Sequence, residues 1–462
     1  MASVLLVRVG EVGVPPFANW TNRLLHGIGL VPKVVVRPLG LSLLSACLKR
    51  KGHSCEILDL NTCPGYRRKG VLLDAIRKKP FDYIGFTFFT HGYQEALRAA
   101  EWCKRICPDT KIVFGGPHAT FTSDENLSHS FVDFVICGEA EVSLPRLVGG
   151  ENPAEIPGLA LRANGRVFQV LPESIDNLDA LPIADRNACL PLYYPYAPID
   201  YLQTSRGCPK RCSFCVESNL FKKMRFRDPK AVALEAGYLS RSGAKLIYLA
   251  DSNFSASHTH VDSVCREIRR VKPKARLFAE MAVEYADAEM LKTLAKSCFA
   301  GVSFGIESLS DRSLGTIAKT TEGKAYRNKA LDLLKYCNRI GLQCSSYYVV
   351  PLPHQNKSSV MEEIKLLQAY GQVELMFLTP FPGTRLWDEE QGSLLTRDFS
   401  EYDSYHIVFN PSEMSPGDLR AIYRHVVNQN RDMFKRHKET RNDSGNGSNH
   451  QGSGYETIRN VG

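Results

Sequence analysis

The chain has 462 residues and a mass of 51.6 kDa, which is room for about three domains of ordinary size. Hydrophobic residues make up 44% and charged residues 23%, with a mean hydropathy of -0.21; this balance excludes a mainly disordered chain, and no apolar run reaches the ~18 residues of a membrane-spanning helix. The formal charge of +9 is mild and spread along the chain, so it permits an acidic substrate without demanding nucleic acid.

The opening segment, Met1 to Gly10, meets Arg8 after one short apolar run and has no signal-peptide core, so a cytoplasmic protein is expected. Over residues 1–140, strand-like runs at Ser3–Val9, Ser54–Leu60, Asp82–Thr90, Lys111–Gly116 and Val132–Cys137 alternate with helix-like stretches. The stretch opened by Pro38 carries Leu39, Leu43, Leu44 and Cys47 and ends at Gly52 after three basic residues, as a helix C-terminus prefers. Helices are likewise expected at Val71–Lys79 and Gln94–Cys107, with a Gly/Pro-rich loop over 10–37. The alternation predicts an α/β fold: a doubly wound, Rossmann-like parallel sheet whose ligand lies beyond the C-terminal strand ends.

Residues 141–195 read as a connector. Within it Asn164-Gly165 separates two strand-like runs, the signal of a tight hairpin, and Pro-rich loops follow. A second series over 196–390 offers six strands, at Tyr201–Ser205, Lys245–Ala250, Ala275–Met281, Gly301–Glu307, Gln343–Val350 and Val373–Thr379. Helical stretches such as Ala286–Ser297 and Ala325–Arg339 separate them. Six strands with crossover helices predict a partial (β/α)6 barrel, since a closed eight-stranded one needs about 250 residues. Residues 391–435 are expected as a helical extension, and 436–462, rich in Gly, Ser and Asn, as a disordered tail.

The 14 cysteines of a chain in a reducing compartment are no disulfide framework; they are small core residues or metal ligands, and spacing separates the two. Most, such as Cys47, Cys103 and Cys265, fall in apolar elements and read as core. Cys208, Cys212 and Cys215 differ: they stand in RGCPKRCSFC, directly after a strand. Three thiolates so close can wrap one face of a compact inorganic cluster. A [4Fe–4S] cubane takes four thiolates, so three leave one iron open. The competing readings are a zinc site or a grouping of buried thiols, but a zinc site shows a second Cys or His pair at regular spacing, and none follows.

This spacing, with Phe214 just before the last Cys, resembles that of the radical S-adenosylmethionine (SAM) enzymes. LADSNF (249–254), SFGIES (303–308) and LTPFPGTRLWDE (378–389) look like successive strand-end motifs of one branch, in which a cobalamin-binding-type domain precedes the barrel. RPLGLSLLSACL, ILDLN, FGGPHAT and ICGEAE are similar to that domain in the same order, so the resemblance spans residues 1–435. It implies a [4Fe–4S] cluster on the three cysteines with Phe214 beside the cofactor, S-adenosyl-L-methionine on the open iron, and cobalamin in the first domain. Two departures stand out. The turn from Asp59 to Gly65 lacks the His of the Asp-x-His-x-x-Gly motif that replaces the nucleotide base under cobalt. VVPLPHQNKSS carries Pro351 and His354 where relatives have glycines.

Further site residues are expected at strand ends. Asp251 and Asn253 could contact the methionine ammonium of SAM, or simply cap a turn. Glu280 and Glu307 could each accept both ribose hydroxyls, or pair with a Lys or Arg. Gly115 and Gly116 would let the backbone approach a large planar ligand, though a tight strand–helix turn needs them equally. His118 could face a corrin, or be an ordinary hydrogen-bonded loop residue. The implied function is a cobalamin-dependent radical SAM enzyme that methylates an unactivated carbon of a small-molecule or natural-product substrate. It would take electrons from a donor such as flavodoxin or ferredoxin, with no nucleic acid and no membrane span. The alternatives are radical rearrangement, cyclisation, dehydration or epimerisation with a vestigial first domain, and an iron–sulfur protein that carries or senses electrons.

Overall fold

The computed structural model describes residues 1–10, 35–193, 195–320 and 322–444. Strand β1 (Ser3–Arg8) has every residue from Val4 to Val7 exposed by 2% or less, as a parallel strand covered by helices on both faces must be. It lies between β2 (Ser54–Asp59) and β3 (Tyr83–Thr87), and β4 (Lys111–Gly115) and β5 (Phe134–Ile136) follow, all paired in parallel. The order β2-β1-β3-β4-β5 reverses direction between β1 and β3, and such a switch point opens a crevice at the strand C-termini. Leu41 and Leu48 of α1 (Leu39–Arg50) cover one face, with Leu144 and Leu147 of α4 (Ala140–Val148). Leu72 of α2 (Gly65–Lys78) and Ala96 and Ala99 of α3 (Tyr93–Ile106) cover the other.

The sheet does not stop at residue 140, so residues 141–169 of the expected connector belong to the first domain and only 170–195 run between the two sheets. Beyond α4, β6 (Leu159–Ala163) and β7 (Arg166–Gln169) extend the sheet as an antiparallel hairpin. Asn164 and Gly165 both take positive φ, 50° and 74°, as a two-residue turn of this type needs. The physical reason is the edge of β5: its unpaired backbone groups are satisfied by Leu159 to Leu161.

The second sheet holds β8 (Ile199–Leu202), β9 (Leu246–Leu249), β10 (Arg276–Ala282), β11 (Phe299–Glu307), β12 (Gln343–Val350) and β13 (Gln372–Phe377) in chain order. All pairings are parallel, which makes the expected six-stranded partial barrel. Its β13 edge is covered by α5 (Pro416–Ser444): Asn430 Nδ2 donates to the Val373 carbonyl at 2.8 Å, and its Oδ1 accepts from the Val373 amide at 3.4 Å. That helix continues through residues 436–444, where a disordered tail was expected. The remainder of that tail, and residues 11–34 of the expected Gly/Pro-rich loop, lie outside the described residues. Among the described residues no helix is long and apolar enough to cross a membrane.

Candidate functional site

The cysteine segment leaves β8 and returns through a short antiparallel ladder, Ser205–Arg206 against Arg225–Phe226. Cys208, Cys212 and Cys215 are free thiols, and all three line a cavity of ≈ 150 Å³ at the C-terminal ends of the barrel strands. Burial raises each thiol above its ordinary value, Cys215 to about 12. The ammonium groups of Lys319 and Lys210 act in the opposite direction on Cys208 and Cys212. Among the described residues no three His, Cys, Asp or Glu side chains group closely enough to hold a single metal ion. A zinc site would need its sulfurs converged at about 2.3 Å from one point, whereas a cubane takes each thiolate on a different iron. Three thiols around one cavity are the kind of donor set a cubane takes.

The same cavity is lined by Phe214, Asn253, Glu280 and Glu307. Asn253 Oδ1 accepts from the Ser255 amide, the Ser255 hydroxyl and the Ala282 amide at 3.2, 2.7 and 3.1 Å. Its Nδ2 is buried without a partner, a donor left over for a ligand. Glu280 Oε1 accepts from the hydroxyls of Tyr347, at 2.7 Å, and Tyr248, and burial pushes this carboxyl upward. Glu307 stands at a register shift in β11, with φ of 63°, and the irregularity aims its side chain into the cavity. There it pairs with Lys319 Nζ at 3.0 Å, both groups buried. A Cβ on Gly305 would come within 2.8 Å of Glu307 Oε1 and 3.1 Å of Lys319 Nζ, so glycine is what leaves room for the pair.

Asp251 is a correction. It does not line the cavity. Its carboxylate is saturated by the amides of Thr204 and Ser205 at 2.7 and 3.1 Å and by their hydroxyls at 2.5 and 2.8 Å, so it clasps β9 to the start of the cysteine segment. His354 shows how the replaced glycine is tolerated: it adopts φ of 67° itself.

A larger cavity of ≈ 490 Å³ lies where the C-terminal strand ends of both sheets face each other. Thr87, Phe89 and Gly116 line it from the first domain, Leu43 from α1, and Tyr201 and Ala250 from the barrel. Gly116 has φ of 96°, and a Cβ there would sit 2.6 Å from Thr87 Oγ1. A mostly apolar slot at a switch point suits a broad planar ligand such as a corrin. Among the described residues no histidine lines it.

Two further expectations fail here. Gly115 is not in the wall, and a Cβ on it would meet only the Ile136 carbonyl oxygen at 3.8 Å, so it is an ordinary strand-end residue. His118 faces the other way. The short helix Pro117–Phe121 turns its ring into an aromatic cage, with centroids 4.8 Å from Tyr93, 4.9 Å from Phe399 and 5.9 Å from Phe88. Nδ1 lies 3.2 Å from Thr90 Oγ1, and burial lowers the ring's pKa to about 3. At the first-domain turn, Asp59 is held by Arg8 Nε at 2.8 Å and the Tyr196 hydroxyl at 2.9 Å. Asn61, two residues on, is buried with both amide atoms unpartnered.

The two cavities meet across Glu217, which lines the larger and accepts at 2.5 Å from Ser252 Oγ, which lines the smaller. Glu217, Ser252, Tyr248, Tyr347 and Lys319 were not singled out by sequence. Only Glu217, two places after the last cysteine, carried a visible signal.

The family model for the B12 binding domain matches residues 25–148, and that for the Radical SAM superfamily matches residues 202–367. An uncharacterised methyltransferase of Pyrococcus horikoshii is 29% identical over 405 residues, covering 84% of this chain and 86% of that protein. An anaerobic magnesium-protoporphyrin IX monomethyl ester cyclase of Synechocystis sp. is 24% identical over 400 residues, covering 84% and 79%. The solved structure of the radical SAM methyltransferase TsrM of Kitasatospora setae, with cobalamin and a [4Fe–4S] cluster bound, matches with a TM-score of 0.70 at 20% identity. That match covers 92% of this chain and 91% of the other, and it establishes a shared fold. The chain therefore belongs to the radical SAM superfamily, among the members that carry a B12-binding domain ahead of the radical SAM domain.

Proposed function

We propose that this radical SAM enzyme is cobalamin-dependent and methylates an unactivated carbon of a small-molecule or natural-product substrate. The adjacency of the two cavities across Glu217 and Ser252 carries the reading. Cys208, Cys212 and Cys215 would hold the cluster and leave one iron for SAM, while cobalamin would lie in the larger cavity beside Gly116. When bound, these groups supply reductive cleavage of SAM, a substrate-derived carbon radical and a methyl donor facing it. The remaining work is the protein's. Asn253 Nδ2 offers a hydrogen bond to an anionic or carbonyl acceptor, Glu280 and Glu307 accept from hydroxyls, and Lys319 balances the buried charge of Glu307. Glu217 and Ser252 stand at the junction where a substrate would touch both cofactors, with Glu280 and Tyr347 in the wall of the smaller cavity. The apolar walls keep water from a radical held there.

Both methyltransferase relatives favour methyl transfer. Likeness to the anaerobic cyclase favours a second reading, radical cyclisation or rearrangement without methylation. An electron donor such as flavodoxin or ferredoxin would meet the exposed Arg211, Lys222 and Lys223 beside the cysteine loop. The free cysteines suit a cytoplasmic location.

Anaerobic protein reconstituted with iron, sulfide and hydroxocobalamin should show the broad visible absorption of a thiolate-bound cluster and, once reduced with SAM, release 5′-deoxyadenosine. Replacing the three cysteines with Ala should abolish both. A triple variant with full iron and sulfide would overturn the cluster assignment. Cleavage by protein that retains no cobalamin would shift the reading to cyclisation or rearrangement, and no cleavage by protein with a full cluster would leave an electron carrier or sensor.

A further inference from the structure

We infer that Glu139 and Glu141 of the B12-binding domain are positioning residues for the cysteine loop, fixing it against the wall of the larger cavity. The inference rests on the cofactor reading above and adds a role for two residues outside the cluster motif. Arg206 and Arg225 stand directly opposite each other in the ladder that closes the base of that loop. Both are buried, 5% and 7% exposed. Two adjacent guanidinium groups out of water repel each other and need compensation.

That compensation comes from the other domain. Glu139 Oε1 accepts from Arg206 Nη1 at 2.5 Å, and Glu139 Oε2 accepts from Arg225 Nη1 at 2.6 Å. Glu141 Oε1 accepts from Arg206 Nη2 at 2.5 Å. The returning chain joins the same knot: the Ile175 amide donates to Glu139 Oε2 at 2.8 Å, and Arg225 Nη1 donates to the Ile175 carbonyl at 2.7 Å. Two carboxylates thus balance two guanidiniums, with little water present to soften the geometry.

The placement gives the knot its consequence. Glu139 follows the C-terminal end of β5, and it lines the larger cavity together with Glu141 and Arg206. Only Gly207 separates Arg206 from Cys208. One ion-paired knot therefore ties the wall of one cavity to the ligand loop of the other. Buried ion pairs add little net stability because desolvation offsets their attraction, yet their directional bonds tolerate few alternative arrangements. Reactions between two bound groups lose much of their rate when the separation shifts by about 1 Å, so such an anchor matters here.

Pulsed electron paramagnetic resonance between the reduced cluster and Co(II) reads their separation without turnover. The unmodified protein should give one narrow distance distribution. In the Glu139→Ala molecules that carry both cluster and cobalamin, that single narrow distance should be lost. Glu141→Gln removes one arm only, keeps the test alive if Glu139→Ala fails to fold, and should broaden the distribution less. Amide hydrogen exchange needs no cofactor: in either variant it should rise over residues 207–224 while the strands of the barrel stay protected. An unchanged narrow distance, or unchanged exchange over 207–224, in folded Glu139→Ala would overturn the inference. Unmodified protein that holds no cobalamin would instead count against the cofactor reading, with the exchange result still deciding the role of Glu139.

Discussion

His118 shows how far a single side chain can stand from its motif. FGGPHAT marks the turn in sequence, but the ring is stored among Phe88, Tyr93 and Phe399. Burial first, and the charge of His91 second, lower its pKa from 6.5 to about 3. The unfolded chain therefore takes up this proton before the folded one does. Stability from the neutral ring is complete above 6.5 and is lost as pH falls from there toward 3. His118→Phe should lose less of its urea midpoint between about pH 7 and about pH 5 than the unmodified protein; parallel losses would contradict the assignment. Asp251 and Asn253 carry the same lesson. Both were legible as polar residues at the end of β9, but Asp251 spends its carboxylate on Thr204 and Ser205, while Asn253 keeps one amide donor free. Donor counting of this kind depends on neighbours distant in sequence, which no local pattern contains.

Elements were more readable than side chains. β12 spans Gln343–Val350 as its apolar run predicts, and the other barrel strands shift by a few residues at their ends. β3 ends at Thr87 rather than Thr90 because the chain turns into a short helical turn there, and α2 starts early, at Gly65. Asn164-Gly165 announced the hairpin, whereas its membership of the first sheet depends on the open edge of β5. The irregularity in β11 that aims Glu307 was invisible, since register is settled between strands. The turn after β4 supplies a test at this scale. Gly116→Ala combines φ of 96° with a 2.6 Å approach to Thr87 Oγ1, and should cost on the order of 1–3 kcal/mol. Thr87 and Gly116 both line the larger cavity, so the variant should also retain less cobalamin. An unchanged melting temperature together with full cobalamin retention would argue against that packing.

At the scale of the whole molecule, the cysteine triad was legible because its ligands lie within one loop. The larger cavity was not, because Thr87, Gly116 and Tyr201 come from segments far apart in the chain. The ICGEAE motif was readable as a family feature, yet the pairing of Glu139 and Glu141 with Arg206 is a contact between domains. The larger cavity therefore takes a wall from each domain. Electron paramagnetic resonance of the protein reconstituted with hydroxocobalamin and reduced to Co(II) tests this most directly. Retained, base-off cobalamin without nitrogen superhyperfine splitting is predicted, because among the described residues no histidine lines the larger cavity. Folded protein with an intact cluster and no retained cobalamin, or a bound Co(II) signal split by a nitrogen ligand, would contradict it.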